Sequence, residues 1–230
     1  MSSVPSNTTS NKSSFKHDLF AQFARVGKAL SNGNRLEILE FLAQGERSVD
    51  ELAAVSGLSV ANTSQHLQQL RQAGLALSHK VGLKVYYRLS GDDVIVLLDA
   101  LRAVAERHLA DVERLVNTYL TVKDSLEPIP REELLARVEQ GLVTVLDVRP
   151  PLEYAAGHVP GAVNIPLAEL EGHLKELDPA QEVVAYCRGP HCILAFDAVA
   201  RLREKGLTAR RLEDGFPEWK QAGLPVETSS

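Results

Sequence analysis

The chain has 230 residues, 44% of them hydrophobic, a formal net charge of −5 and only two cysteines. That size allows one large or two modest cores. No run approaches the 18 apolar residues of a membrane span, and the polar start, MSSVPSNTTSNKSS, lacks the apolar stretch of a secretory leader. The expectation is a soluble, cytoplasmic protein with no membrane contact, whose thiols begin reduced and are too few to complete a structural zinc site of about four ligands.

Charge divides the chain, since residues 1–125 carry a formal +1 and the remainder −6. The Ser/Asn/Thr-rich residues 1–14 read as a disordered tail. Next, FKHDLFAQFARVGKAL places Phe15, Leu19, Phe23, Val26 and Leu30 at spacings of three and four, the pattern of a core helix. Leu36, Ile38, Leu39, Phe41 and Leu42 give a second helix, entered through Asn32 to Asn34. VDELAAVSGLSVANTSQHLQQLRQAGL predicts a short helix with Leu52 and Val55 inward, a turn at Gly57, and a longer helix capped by Ser59 and stopped by Gly74. LALSHKVGLKVYYRL alternates on both sides of Val81 to Lys84, a hairpin with Gly82 in its turn. Helix, turn, helix and hairpin make a mainly α winged helix-turn-helix, expected over residues 15–120 as a DNA-binding and dimerisation domain.

On the second helix of the motif, Leu67, Leu70 and Ala73 should face the core. Asn62, Thr63, Ser64, Gln65 and His66 are then left outward, where short polar side chains reach base edges in a major groove. Lys80, Lys84 and Arg88, with His79 nearby, give the hairpin a basic edge suited to phosphates. Residues 29–89 resemble the ArsR family of bacterial repressors, through the NRLEIL start, the S-x-x-x-x-S-x-H-L helix and the VYYRL strand. The resemblance implies a homodimer on an inverted-repeat operator in double-stranded DNA, released by an inducer. Metal-sensing members carry a Cys-x-Cys-type pair where this chain has Ser48 and Asp50, so no metal site of that kind is expected.

From Val94, the residues Leu98, Leu101, Ala105, His108, Val112, Leu115 and Tyr119 recur at alternating four and three. Such a coiled-coil-like seam predicts a homodimer through residues 91–120. His108 reads as a packed seam residue rather than a ligand, because no second histidine follows on that helix. TVKDSLEPIP, residues 121–130, closes with two prolines and reads as a linker.

Residues 131–227 change rhythm to alternating strands and helices, an α/β domain with a parallel sheet covered on both faces. Chemistry in such sheets sits beyond the carboxyl ends of strands. Cys187 falls there, after VVAY, and CRGPHC leads into a helix. Successive backbone N–H groups and the positive helix end favour an anion on sulfur. The stretch is too polar for a pair of inert core cysteines. Residues 128–227 resemble a single-domain rhodanese, through VLDVRPPLEYAAGHVPGAVNIP, VVAYCRGPHC and LEDGFPEWKQAGLPV. The resemblance implies sulfurtransferase chemistry without a cofactor. Cys187 would accept sulfur as a persulfide within a cradle of Arg188, Gly189, Pro190, His191 and Ile193, with Asp147, Arg149, Glu153 and His158 in structural roles. Two departures stand out: Asp214-Gly215 where Gly-Gly is usual, and Cys192 where Arg, Ser or Thr is usual. Five residues from Cys187, Cys192 is the natural resolving thiol.

Two functions compete. One is an ArsR-type repressor whose rhodanese-like domain senses reactive sulfur or redox state through Cys187 and Cys192, with a small sulfur donor or thiol acceptor as partner. The other is a working thiosulfate or persulfide sulfurtransferase whose helix-turn-helix serves dimerisation or localisation. The outward polar helix and basic wing favour the first, having no purpose in an enzyme.

Overall fold

The computed structural model describes residues 8–119 and 128–229. They gather into two compact units, one built from the chain up to Leu42 with Glu46–Gly91, the other from Ala43–Gly45 with the chain from Asp92 onward.

The first unit contains helices α1 (Thr8–Leu30) and α2 (Gly33–Ala43), strand β1 (Arg47–Ser48), helices α3 (Val49–Ser56) and α4 (Val60–Gln72), and strands β2 (Ala76–Val81) and β3 (Lys84–Leu89). Ser48 caps α3 in a reciprocal box with Glu51, which satisfies two backbone groups the helix end would otherwise orphan. Gly57, at φ 68°, ends α3 in the left-handed region that glycine enters without a Cβ penalty. Two residues later the Ser59 side chain accepts the Asn62 N–H and starts α4. β2 and β3 pair antiparallel around a Gly82–Leu83 loop, and β1 lies on the far edge of β3. Ile38, Leu39, Leu52, Leu67 and Leu70 are fully buried.

α1 departs from expectation twice. It begins at Thr8, inside the stretch read as a disordered tail. Its apolar face is also not core, because Phe15, Leu19, Phe20 and Phe23 remain exposed. What packs is the C-terminal end: the buried Arg35 guanidinium donates to the carbonyls of Lys28 and Ala29 and to Gln69, satisfying helix-end acceptors.

The second unit opens with α5 (Asp93–His108) and α6 (Ala110–Tyr119). Leu109 between them is extended, at φ −108° and ψ 103°. One extended residue removes the phase relation between two helices, so the continuous seam expected from Val94 to Tyr119 is interrupted after His108. Val94, Ile95 and Leu98 are buried, whereas Leu101, Val104, Leu109 and Leu115 are exposed. Of the expected linker, residues 121–127 lie outside the described residues. Ile129 is not linker at all: it is fully buried, donates its N–H to the Arg211 carbonyl and accepts from the Glu213 N–H.

The rest is α7 (Arg131–Glu139), β4 (Val143–Asp147), α8 (Pro151–Ala156), β5 (Val163–Asn164), α9 (Leu170–His173), β6 (Glu182–Tyr186), α10 (Ile193–Glu204), β7 (Ala209–Arg211) and α11 (Phe216–Gln221). The four strands are parallel in the order β5-β4-β6-β7. Side chains alternate across β6 with period two. Val183, Ala185 and Cys187 therefore enter the apolar cluster that includes Ala198, Val199 and Leu202 of α10, while Val184 and Tyr186 enter the opposite one with Ile129, Phe216 and Trp219.

Candidate functional site

Cys187 is the first residue past β6 and is 1% exposed. Cys192 is the N-cap of α10, and the two are joined as a disulfide with their α-carbons 6.1 Å apart, inside the roughly 4.4 to 6.8 Å a disulfide spans. The Cys192 N–H donates to the Gly189 carbonyl at 3.1 Å and curls the loop between them. Gly215 closes it from behind, for a Cβ there would lie 2.3 Å from the Gly189 nitrogen and 2.5 Å from the Arg188 carbonyl carbon. Only glycine permits that approach. The next residue, Phe216, donates its N–H to the Cys187 carbonyl at 3.0 Å. The cysteines therefore lie against the core rather than in a wholly polar loop, in contrast to the sequence expectation. The alternation of β6 carries Cys187 onto an apolar face, and Cys192 packs against the same cluster.

A frame of buried charge surrounds the loop. Arg188 forks onto Glu153, with Nε to Oε2 at 2.9 Å and Nη2 to Oε1 at 2.8 Å, and Glu153 is 1% exposed. Such bidentate pairs fix geometry as well as charge. Arg149 and Asp147, both fully buried, pair through Nε to Oδ1 at 3.0 Å. Arg149 donates further to the Gly157 carbonyl at 2.7 Å and to Gln44 Oε1 at 3.0 Å, and lies 4.3 Å from the Phe216 ring centroid. Burial opposes the Arg149 charge, but the bonds to Asp147 and its charge outweigh burial and raise the guanidinium pKa. The Tyr186 hydroxyl donates to Asp147 at 2.5 Å; burial first, then the Asp147 charge, push its pKa up and keep it a donor. His158 stacks on Tyr154. His191 meets Glu106 of α5 at 3.2 Å, Pro190 is half-buried, Gly189 is buried and Ile193 is exposed.

Near the same loop, Arg102 of α5 donates to both Asp99 and Glu218 at 2.9 Å, and Glu218 accepts the Gly215 N–H at 3.0 Å. Burial pushes the Glu218 carboxyl up to about 7; Arg102 opposes the rise and Asp99 adds to it. Gln44, Glu106, Asp99 and Glu218 are site residues the sequence reading missed, and no local signal marks them.

The candidate DNA surface is less uniform than expected. On α4, Asn62 and Gln65 are exposed and Ser64 and His66 half-buried. Thr63 is fully buried, its hydroxyl donating to the Ser59 carbonyl at 3.0 Å, so it cannot read a base. It shares the stripe of Leu67 and Leu70, at spacings of four and three. Burial first, then Arg35, hold the His66 pKa down, which keeps the ring neutral near pH 7. In the hairpin, the pairs Leu77–Arg88 and Val81–Lys84 put Arg88 and Lys84 on one face, while the pair Lys80–Val85 puts Lys80 on the other. The three cations are exposed but do not form one edge. A cleft of about 430 Å³ between the ends of α1 and α4, lined by Arg25, Lys28, Arg35 and Gln72, is remote from both cysteines in sequence. Its arginines already bond to helix-end carbonyls.

Among the described residues, no group of three or more His, Cys, Asp or Glu is placed to hold a metal ion, and no helix is long and apolar enough to cross a membrane. Residues 32–78 match the model of bacterial regulatory proteins of the arsR family, and residues 130–222 that of the rhodanese-like domain. The chain is 48% identical over 212 residues to the HTH-type transcriptional regulator Rv0324 of Mycobacterium tuberculosis, covering 92% of this chain and 93% of that one. It is 36% identical over 94 residues to a second regulator of that organism, Rv0081, with 40% of this chain and 82% of that one covered. A solution structure of the homodimeric winged helix-turn-helix DNA-binding domain of Mb0332 from Mycobacterium bovis, a possible ArsR-family regulator, is 40% identical, covers 47% of this chain and 94% of that one, and has a TM-score of 0.39. A capped helix-turn-helix with a wing, a parallel-sheet unit carrying a cysteine loop, and 48% identity over nearly the full length of one regulator place this chain in the ArsR-type HTH transcriptional regulators that bear a rhodanese-like domain.

Proposed function

We propose that the protein is a cytoplasmic, homodimeric DNA-binding repressor whose affinity for an inverted-repeat operator changes when sulfane sulfur or an oxidant acts on Cys187 and Cys192. The observation that carries this reading is the pair of cysteines within bonding reach across one loop, in a chain of a regulator family. The chemistry balances in two steps. The Cys187 thiolate takes a sulfur from hydrogen disulfide, HS–S⁻, giving Cys187–S–S⁻ and releasing HS⁻. The Cys192 thiol then attacks the inner sulfur, forming the disulfide and releasing a second HS⁻. Arg188, Gly189, Pro190, His191 and Ile193 surround the intermediate. Asn62, Ser64, Gln65 and His66 read bases, while Lys80, Lys84 and Arg88 hold phosphates from the two faces of the wing. The exposed apolar residues of α1, α5 and α6 support a dimer, because apolar surface on this scale marks an interaction face.

The test is intact mass after polysulfide, paired with gel retardation, for the wild type and Cys192→Ser. A loss of 2 Da, as about two protons leave on linking, with altered retardation in the wild type and neither in the variant, supports the switch. The rhodanese-like match across Cys187 favours a second reading, sulfurtransferase turnover. A persistent Cys187 persulfide, catalytic thiocyanate formation from cyanide, and unchanged DNA binding would select it.

A further inference from the structure

Gln44 reaches the sulfur loop from outside the rhodanese-like span of residues 130–222. It is 2% exposed. Its Oε1 accepts from Arg149 at 3.0 Å, and its Nε2 donates to the Arg188 carbonyl, one peptide beyond Cys187, at 3.2 Å. Gly45 follows at φ 147°, where a Cβ would lie 3.0 Å from the Ala156 Cβ, so the segment is seated closely. A second hold comes from α5. Arg102 grips Glu218, Glu218 accepts from Gly215, and Gly215 backs directly onto Arg188 and Gly189; Glu106 meets His191.

In the chain these holds sit at the two ends of one segment. Gln44 lies two residues before Glu46, and α5 begins two residues after Gly91. Glu46–Gly91 contains α3, α4 and the hairpin, and with them every side chain assigned to DNA above. We infer that Gln44 is the positioning residue through which the sulfur state of the Cys187–Cys192 loop is coupled to DNA affinity, the Arg102–Glu218 pair being the second hold. The inference rests on the regulator reading above and deepens it.

The physical basis is a buried amide with one fixed end and one movable end. Arg149 is clamped by Asp147 and the Gly157 carbonyl, so the Oε1 side of Gln44 is held. The Nε2 side follows the Arg188 carbonyl, and that carbonyl moves when the sulfurs either side of the loop are joined or parted. Stretching a buried hydrogen bond is costly, so displacement of the Arg188 carbonyl is passed to the segment 43–45 through this bond. Coupling of this kind is reciprocal: a sulfur state that changes DNA affinity by some factor obliges DNA to change the dithiol–disulfide equilibrium by the same factor.

The experiment equilibrates the full-length protein in mixtures of reduced and oxidised dithiothreitol, in which the protein disulfide and dithiothreitol exchange for two protein thiols and the oxidised cyclic reagent. It is run with and without saturating duplexes selected by the reduced wild type from a random-sequence pool. In the wild type, DNA is expected to shift the equilibrium by about tenfold, or about 30 mV for this two-electron couple. Gln44→Met lacks both bonds. Gln44→Glu keeps an acceptor for Arg149 but has no donor for the Arg188 carbonyl, so it decides the matter should the methionine variant fail to fold. Both are expected to reduce the shift below about threefold. A merely structural Gln44 would lower the thermal midpoint and leave the shift intact, which overturns the inference and spares the regulator reading. A wild type that selects no DNA, or whose equilibrium DNA does not move, overturns both.

Discussion

Gln65 and Arg188 are both polar side chains of candidate sites, yet they stand in opposite physical situations. Gln65 is exposed on a helix whose buried stripe faces the other way, whereas Arg188 is largely buried and forked onto a carboxylate that is itself 1% exposed. The α4 surface is thus presented by a scaffold indifferent to which polar residues stand there. The sulfur loop is part of its own scaffold. Substitutions on α4 should change recognition with little effect on folding, and substitutions in the loop's frame should do the reverse.

The largest effect expected is at Asp147. Asp147→Ala leaves Arg149 buried without its carboxylate, and breaking a buried pair in this way costs about 3 to 5 kcal/mol. Urea unfolding followed by Trp219 fluorescence should show this, and a loss below about 1 kcal/mol would mean the frame is not built on that pair. Next comes Gln65→Ala, expected to cost about 1 to 3 kcal/mol on the preferred duplex and almost nothing on random DNA. Lys84→Ala should weaken both alike and lower the salt slope by about one unit. Equal losses for Gln65→Ala on the two DNAs would remove α4 from sequence reading.

The pH dependence of the second unit sharpens the contrast further. Glu218 titrates at about 7 when folded against an ordinary 4.5, chiefly because it is buried. Between those values the folded chain holds a proton that the unfolded chain has released, so stability is fullest below about 4.5 and falls as pH rises toward 7. Asp99 is raised in the same direction by burial. Glu218→Gln should flatten that fall by up to about 1 kcal/mol per pH unit, as chemical denaturation at pH 5, 6 and 7 would report. The smallest effect tests one residue against its neighbour but one. Thr63→Val removes the bond to the Ser59 carbonyl and should lower stability by about 1 kcal/mol while leaving base discrimination untouched. A changed sequence preference would return Thr63 to the reading surface.

Local signals account for what the sequence disclosed. Gly57, Ser59 and Gly74 mark the helix ends, Gly82 the hairpin, and the strand–loop–helix around Cys187 follows from an apolar run ending in CRGPHC. Two misreadings were avoidable. Thr63 sits four residues before Leu67 on one helical stripe, and Lys80 pairs across the two-residue turn with Val85, which places it on the face opposite Lys84 and Arg88. The remaining differences are tertiary. Nothing around Leu109 signals a break, since neither glycine nor proline is near. The bond from Gln44 to Arg188 joins residues 144 positions apart, beyond any periodic pattern. α1 has the spacing of a core helix, and only the exposure of its phenylalanines shows that the described residues leave its apolar face uncovered.

The contact of Gly215 and Phe216 with the sulfur loop also sets an order of events at the ribosome. Cys187 and Cys192 are synthesised before the residues that brace their loop, with 29 positions separating Cys187 from Phe216. At about 5 to 20 residues per second, the nascent chain carries its cysteines without that brace for roughly 1 to 6 seconds. Once α11 is made, Gly215 closes the loop from behind and the Phe216 N–H holds the Cys187 carbonyl, so the cysteine pair gains this last support late in biosynthesis.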